Sequence, residues 1–358
     1  MKADIFIIGT GLIGGSLGLA LKGSPLINCI YGYDSHPESL QTAKNIGAID
    51  EAVSLVNGAS KSDIIFICSP LSHYQSIITE ITPVLQEDTI ITDVGSTKEE
   101  VMEIFNSLPN NIWGIGGHPM AGSEITGING ADRYLFENAV YVITPAKTPS
   151  EQVSKLIAIL KNTGAKIIIQ DAKTHDELVA TVSHIPHLAA VALVALTQGK
   201  RDNLTLAAGG FRDTTRIASS NPELWEDILL FNRNHILNKL DELVLILQDI
   251  KNTILEEDNK KLLSILSAAK QIRDEIPKAR KGLIPSYHDV VCIVPDEPGI
   301  IGKLGFILGE VNINIVDIEI LRVREGDGGT IRLGVTDAAA ARKATETLLN
   351  NNIKAWIR

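Results

Sequence analysis

The sequence holds little that would tie it to a disulfide framework, a metal, a nucleic acid or a membrane. Its three cysteines, Cys29, Cys68 and Cys292, are far apart, odd in number and set in apolar runs. No CxxC or metal-ligand spacing exists, so free buried thiols in a reducing compartment are expected, and no metal site. Positive charge is in deficit. Lys and Arg number 33 against 43 Asp and Glu, a formal net charge of −10 over 358 residues. Such a surface has no general footprint for nucleic acid or anionic lipid, although local basic spots can still hold a small anion. No run reaches the roughly 18 apolar residues that a bilayer span needs. The opening KADIFIIG is a strand pattern rather than a charged segment followed by a long apolar one. No secretory signal is therefore expected, and the expected location is the cytoplasm.

What is present is a chain long enough for two or three domains, with 44% apolar residues. Through residue 170, short Ile- and Val-rich runs alternate with helical stretches. The runs are Asp4–Ile8, Cys29–Tyr33, Ile64–Cys68, Thr89–Thr92, Trp113–Ile115, Val140–Ile143 and Lys166–Ile169. They are continuous rather than alternating, which suits strands covered on both faces, as in a parallel sheet. Alternating β and α then predicts an open, doubly wound α/β sheet over 1–170. The texture changes over 171–280. Glu177–Gln198 and Pro222–Glu257 read as long apolar helices, and Lys260–Ile276 as a third. Long amphipathic helices after a doubly wound sheet suit a subunit interface, so a homodimer is expected. Residues 276–288, mixing Pro, Gly and basic side chains, read as a linker. Residues 287–358 follow as a compact βαββαβ unit of ferredoxin-like order, with a glycine turn at 326–329.

The strand-turn-helix IFIIGTGLIGGSLGLAL carries Gly9, Gly11 and Gly14 in GxGxxG spacing, with Leu12 and Ile13 between them. Gly9 permits the turn, Gly11 lets backbone approach a pyrophosphate, and Gly14 lets helix and strand pack closely. The helix N-terminus offers free N–H groups to phosphate. The next strand ends in Asp34, placed to accept from ribose hydroxyls and to repel a 2′-phosphate. These features predict a Rossmann-type site for NAD rather than NADP. Ser69 and Pro70, after the Ile64–Cys68 strand, are further candidates for the adenosine side.

Candidates for proton transfer and anion binding should sit at strand C-termini. Ser96 in TDVGSTK and His118 in GIGGHPMAGSE both follow strands, the latter on an expected glycine-rich loop. His184 and His187 in SHIPH share one helical face, without the glutamate or cysteine of a zinc site. Arg212, Asp213 and Arg216 precede a Pro-started helix, where two arginines could clamp a carboxylate.

GTGLIGGSLGLAL, DVGSTK, GGHPMAGSE, SHIPHLAA and GGFRDTTRIASSNPELW occur in this order, and together they resemble the prephenate dehydrogenase family of tyrosine biosynthesis over about residues 1–280. The βαββαβ unit, with DEPGIIGKLGFILGEVNINI, resembles an ACT domain, a small amino-acid-sensing module. No chorismate mutase segment precedes the glycine motif, so a monofunctional enzyme is expected. The resemblance implies NAD-dependent oxidative decarboxylation of prephenate to 4-hydroxyphenylpyruvate. It implies that His118 takes the C4 hydroxyl proton, that Ser96 bonds the same hydroxyl and helps hold His118, that Arg216 grips a carboxylate, and that His184 and His187 line the pocket. With an ordinary imidazole pKa near 6.5, the rate is expected to fall in acid. For the ACT unit it implies an effector, L-tyrosine by analogy, at the turn Asp296, Pro298, Gly299 and Ile300. Asn312 and Asn314, expected at the start of the next strand, complete that candidate set. Arogenate dehydrogenase, a β-hydroxyacid dehydrogenase and a non-catalytic NAD and amino-acid sensor stand as alternatives.

Overall fold

The computed structural model describes residues 2–122, 125–145, 147–275, 288–323 and 329–357. Its contacts divide the chain into two units, Met1–Ser267 and Ala268–Arg358. The first holds an eight-stranded sheet. Its strands are β1 (Ala3–Ile8), β2 (Ile27–Tyr33), β3 (Glu51–Ala52), β4 (Ile64–Ile67), β5 (Ile90–Asp93), β6 (Trp113–Pro119), β7 (Val140–Pro145) and β8 (Lys166–Ile169), in the order β3-β2-β1-β4-β5-β6-β7-β8. Strands β1 to β6 are parallel. Their continuous apolar runs are explained by burial on both faces: Ile5 and Ile7 enter one core, Phe6 and Ile8 the other. The strand order reverses beside β1, which opens a crevice at the strand C-termini, where open α/β sheets bind ligands.

All seven expected strand runs form, and the two-residue β3 is added. Direction differs at the far edge. β7 runs antiparallel to β6, and β8 is parallel to β7. The described part of the β6–β7 connection holds only a 3-10 turn, Ile128–Gly130, instead of a crossover helix, so the chain returns in the opposite direction. His118 also lies inside β6, opposite Val142, rather than on a loop.

Among the described residues no strand occurs between 171 and 275. The first long helix runs from Ala172 to Leu196, interrupted by a π turn at Ala180–His184, while Pro186 is tolerated in the first turn of the segment Ile185–Leu196. By length and mean hydropathy this helix suffices to cross a bilayer, although, as expected, it contains no run of 18 apolar residues. It nevertheless buries His175, Asp176, His184 and His187 within the fold. The expected helix 222–257 is two helices, Pro222–Phe231 and Arg233–Leu255. Asn232 separates them because its side chain is drawn inward to bond the Asp176 carbonyl. A last helix, Asn259–Glu275, follows.

The second unit is β9 (His288–Val294), helix Ile300–Glu310, β10 (Ile315–Val323), β11 (Gly329–Val335), helix Ala338–Asn350 and β12 (Lys354–Ile357). The antiparallel order β10-β11-β9-β12 buries Val290, Cys292, Leu333 and Val335 with Leu304, Leu308 and Leu348 of the two helices. The expected linker and glycine turn lie outside the described residues, apart from His288 and Gly329. All three cysteines are free thiols.

Helix Leu12–Leu21 packs so closely that a Cβ on Gly18 would sit 2.1 Å from the Ala48 carbonyl oxygen. Gly18→Ala should therefore lower stability by about 1–3 kcal/mol despite alanine's helix preference, read as a lower urea midpoint.

Candidate active site

The glycine turn links β1 to helix Leu12–Leu21. Gly9 takes φ +95°, and a Cβ there would meet the Cys68 carbonyl oxygen at 2.7 Å and Ser69 N at 2.9 Å. This places Ser69 directly against the turn, with Pro70 next in the chain. A Cβ on Gly14 would lie 2.0 Å from the Gly9 carbonyl oxygen, whereas the same position on Gly11 is open. No side chain caps the helix at Gly11, so its first N–H groups face the crevice free for an anion. These features fit a dinucleotide pyrophosphate. Asp34 Oδ2 accepts from Thr10 N at 2.7 Å and Thr10 Oγ1 at 3.0 Å, while Oδ1 accepts from His36 N at 2.9 Å. The carboxylate thus ties the turn to β2 and holds its own orientation.

The buried centre lies at the ends of β5 and β6. His118 Nδ1 is 2.8 Å from His175 Nε2, and His175 Nδ1 is 2.7 Å from Asp176 Oδ1. Asp176 also accepts from Lys98 N at 2.7 Å and Glu99 N at 2.8 Å, the first amides of helix Glu99–Asn106. Lys98, fully buried, donates from Nζ to Asp93 Oδ2 at 2.5 Å. Asp93 further accepts from Gly95 N, Gly117 N and the Tyr74 hydroxyl. It therefore fixes both the loop that carries Ser96 and the strand that carries His118.

A second wall comes from the helical region. His187 stacks on Trp225 with 3.5 Å between ring centroids and 7° between planes, and His184 meets the same indole edge-on. Asn232 Nδ2 donates to the Asp176 carbonyl oxygen at 2.9 Å and lies 3.1 Å from His184 Nδ1. His187 Nδ1 is buried without a hydrogen-bond partner, an opening for a polar substrate group.

Residues 17–169 match the family model described as prephenate dehydrogenase, nucleotide-binding domain. Residues 171–268 match its dimerization domain, and 288–350 match the ACT domain. The prephenate dehydrogenase of Bacillus subtilis is 36% identical over 97% of this chain and 96% of its own length. The chain belongs to the prephenate dehydrogenase family. Among solved structures, prephenate dehydrogenase from A. aeolicus, in complex with hydroxyphenyl propionate and NAD+, is 31% identical with a TM-score of 0.72, covering 77% of this chain and 99% of that one. Synechocystis arogenate dehydrogenase is 32% identical with a TM-score of 0.67, covering 76% and 100%.

Of the candidate site residues in this prephenate dehydrogenase family member, the structure sets His118, His184 and His187 among partners that the sequence reading missed. His175, Asp176, Lys98, Asp93, Trp225 and Asn232 were not singled out. The motif DVGSTK contains Asp93 and Lys98, so a buried ion pair was available there. Ser96 is half-buried on the loop after Asp93. Arg216 is exposed on the turn Arg216–Ser219, which packs against helix Ile185–Leu196. In the ACT unit, Asp296, Gly299 and Ile300 line a cavity of about 210 Å³ with Ile320 and Ile331, and Gly299 takes φ +90° to start the helix. Asn312 and Asn314 are exposed at the opposite end of that helix, ahead of β10 rather than in it, and Asn312 ends the helix at φ +57°.

Burial, reinforced by His175, Lys98 and His184, holds His118 well below the ordinary imidazole value of 6.5, so it is neutral. Burial likewise lowers His187, and takes His184 down to about 4. Burial lowers Lys98 too, opposed by Asp93 and Asp176. In the unfolded chain His184 returns to 6.5. Between 6.5 and about 4 the unfolded state then binds more protons, and stability falls as pH drops through that window. Urea midpoints measured across it should decline, and His184→Gln should make the decline shallower.

Proposed function

We propose that this chain is an NAD-dependent prephenate dehydrogenase that forms 4-hydroxyphenylpyruvate and CO₂ for tyrosine synthesis. The observation that carries the reading is His118: neutral, buried, at the C-terminal end of β6 in the same sheet as the glycine turn, within this family. Gly9, Gly11, Leu12, Ile13 and Gly14 would hold the cofactor's pyrophosphate. Asp34 would take a ribose hydroxyl and disfavour a 2′-phosphate, and Ser69 and Pro70 would flank the adenosine. Bound there, NAD supplies the hydride acceptor.

His118 takes the proton of the substrate's C4 hydroxyl, and Ser96 shares that hydroxyl. The O–H pair forms the C4 carbonyl as hydride leaves C4. The C1–carboxylate pair then flows into the ring as CO₂ departs, and the resulting phenolate oxygen recovers the proton from His118. No net proton is consumed. Arg216 and His187 orient the substrate's anionic groups, and His184 with Trp225 walls the pocket. Similarity to an arogenate dehydrogenase keeps arogenate as the second substrate reading.

The exposed run Val244, Leu245, Ile246 and Leu247 suits a homodimer seam. L-Tyrosine is the effector proposed for the ACT cavity, and the cytoplasm the proposed location.

NADH formation should be seen with prephenate and NAD, with a lower kcat/KM for arogenate and for NADP. His118→Asn should lower kcat by about 10²–10⁴-fold with NAD binding intact. A near-normal kcat in that variant would remove His118 from the mechanism. Tyrosine inhibition should disappear when residues 287–358 are deleted, and its persistence would place feedback in the active site.

A further inference from the structure

We infer that His175 and Asp176 form a relay behind His118, fixing which ring nitrogen is bare and carrying the transferred charge away from the reacting atoms. This rests on the reading of His118 as the base.

The assignment starts from Asp176. Its carboxylate accepts two backbone N–H groups, from Lys98 and Glu99, and so is anchored as an acceptor. The His175 nitrogen facing it at 2.7 Å must then carry a proton. The relay requires one proton on His175 at rest, the one facing Asp176, which leaves its other nitrogen, Nε2, bare. That atom lies 2.8 Å from His118 Nδ1, which must donate to it, because two lone pairs do not meet at that distance. His118 is thereby protonated on Nδ1 and bare on Nε2. His184 is set the opposite way, since the Asn232 amide faces its Nδ1 as a donor.

The surroundings also decide where a positive charge is tolerated. The ionisable groups around His118 are His175 and Asp176 from helix Ala172–Val179, Lys98 with its partner Asp93 from the β5 side, and His184 from the π turn. A cation held on His118 would sit among Lys98 and two histidines in a buried position. A cation on His175 faces the Asp176 carboxylate directly. The step balances as follows. The substrate O–H breaks and an N–H forms at His118 Nε2. The His118 Nδ1 proton passes to His175 Nε2. His118 is again neutral, and His175 is an imidazolium against Asp176. The reverse transfers return the proton to the phenolate oxygen. His175 and Asp176 stand behind His118, act through it and are positioning residues.

Nitrogen NMR of histidine-labelled full-length enzyme with NAD should show His118 protonated on Nδ1. A proton on Nε2 would overturn the relay. His175→Gln keeps an acceptor for His118 Nδ1–H but cannot take up a proton. It should lower kcat at least about tenfold, leave KM within about twofold, and move the acid limb of kcat/KM to lower pH. Wild-type kcat and an unchanged acid limb in His175→Gln, alongside an inactive His118→Asn, would discard the relay and keep the base. An active His118→Asn would instead discard the base itself. If His175→Gln does not fold, the proton position in the unaltered enzyme decides the matter.

Discussion

A carboxylate sealed away from water has to be matched donor by donor, and this site is assembled around that requirement at Asp93. The side chain is fully buried and is met by the Lys98 ammonium, two backbone amides and the Tyr74 hydroxyl. Those partners come from the loop after β5, from β6 and from the helix after β4. Satisfying one carboxylate therefore fixes three segments relative to one another. Buried ion pairs contribute little net stability compared with apolar packing, so the gain here is geometric: the Ser96 loop and the His118 strand are held in one arrangement. Asp176 repeats the device one layer out, tying the start of helix Glu99–Asn106 to the first helix after the sheet.

What could be read from the sequence follows from how local each feature is. The glycine turn, its strand, its helix and Asp34 lie within thirty-odd residues and obey a spacing that backbone geometry enforces. The apolar runs disclosed the strands because burial on both faces leaves no alternation. The reversal of β7 was not disclosed, since strand patterns carry no direction. The missing crossover helix after Pro119 was the available sign. His175 and Asp176 escaped notice because their partners are 57 and about 78 residues away in the chain, and at the head of an apolar helix they read as ordinary polar starters. Asn232 was hidden in the same way, within a helical period that its inward-turned side chain interrupts.

The second unit shows the converse. Its element order was legible throughout because each strand and helix is short and separated by turn residues. Function there was harder to place, because Asn312 is committed to ending a helix in the left-handed region while the Gly299 turn opens a cavity at that helix's other end.

The π turn at Ala180–His184 has a consequence for how such a pocket withstands change. It is one residue wider than an ordinary helical turn, so it takes up one extra residue between the His175 end and the His187 end of a single rod while the faces on either side keep their directions. In regular winding that extra residue would turn everything downstream by about 100° and carry His187 off the Trp225 face. The wide turn is thus a slack loop in the rod, letting its length vary by a residue while the column of side chains that lines the pocket stays the same.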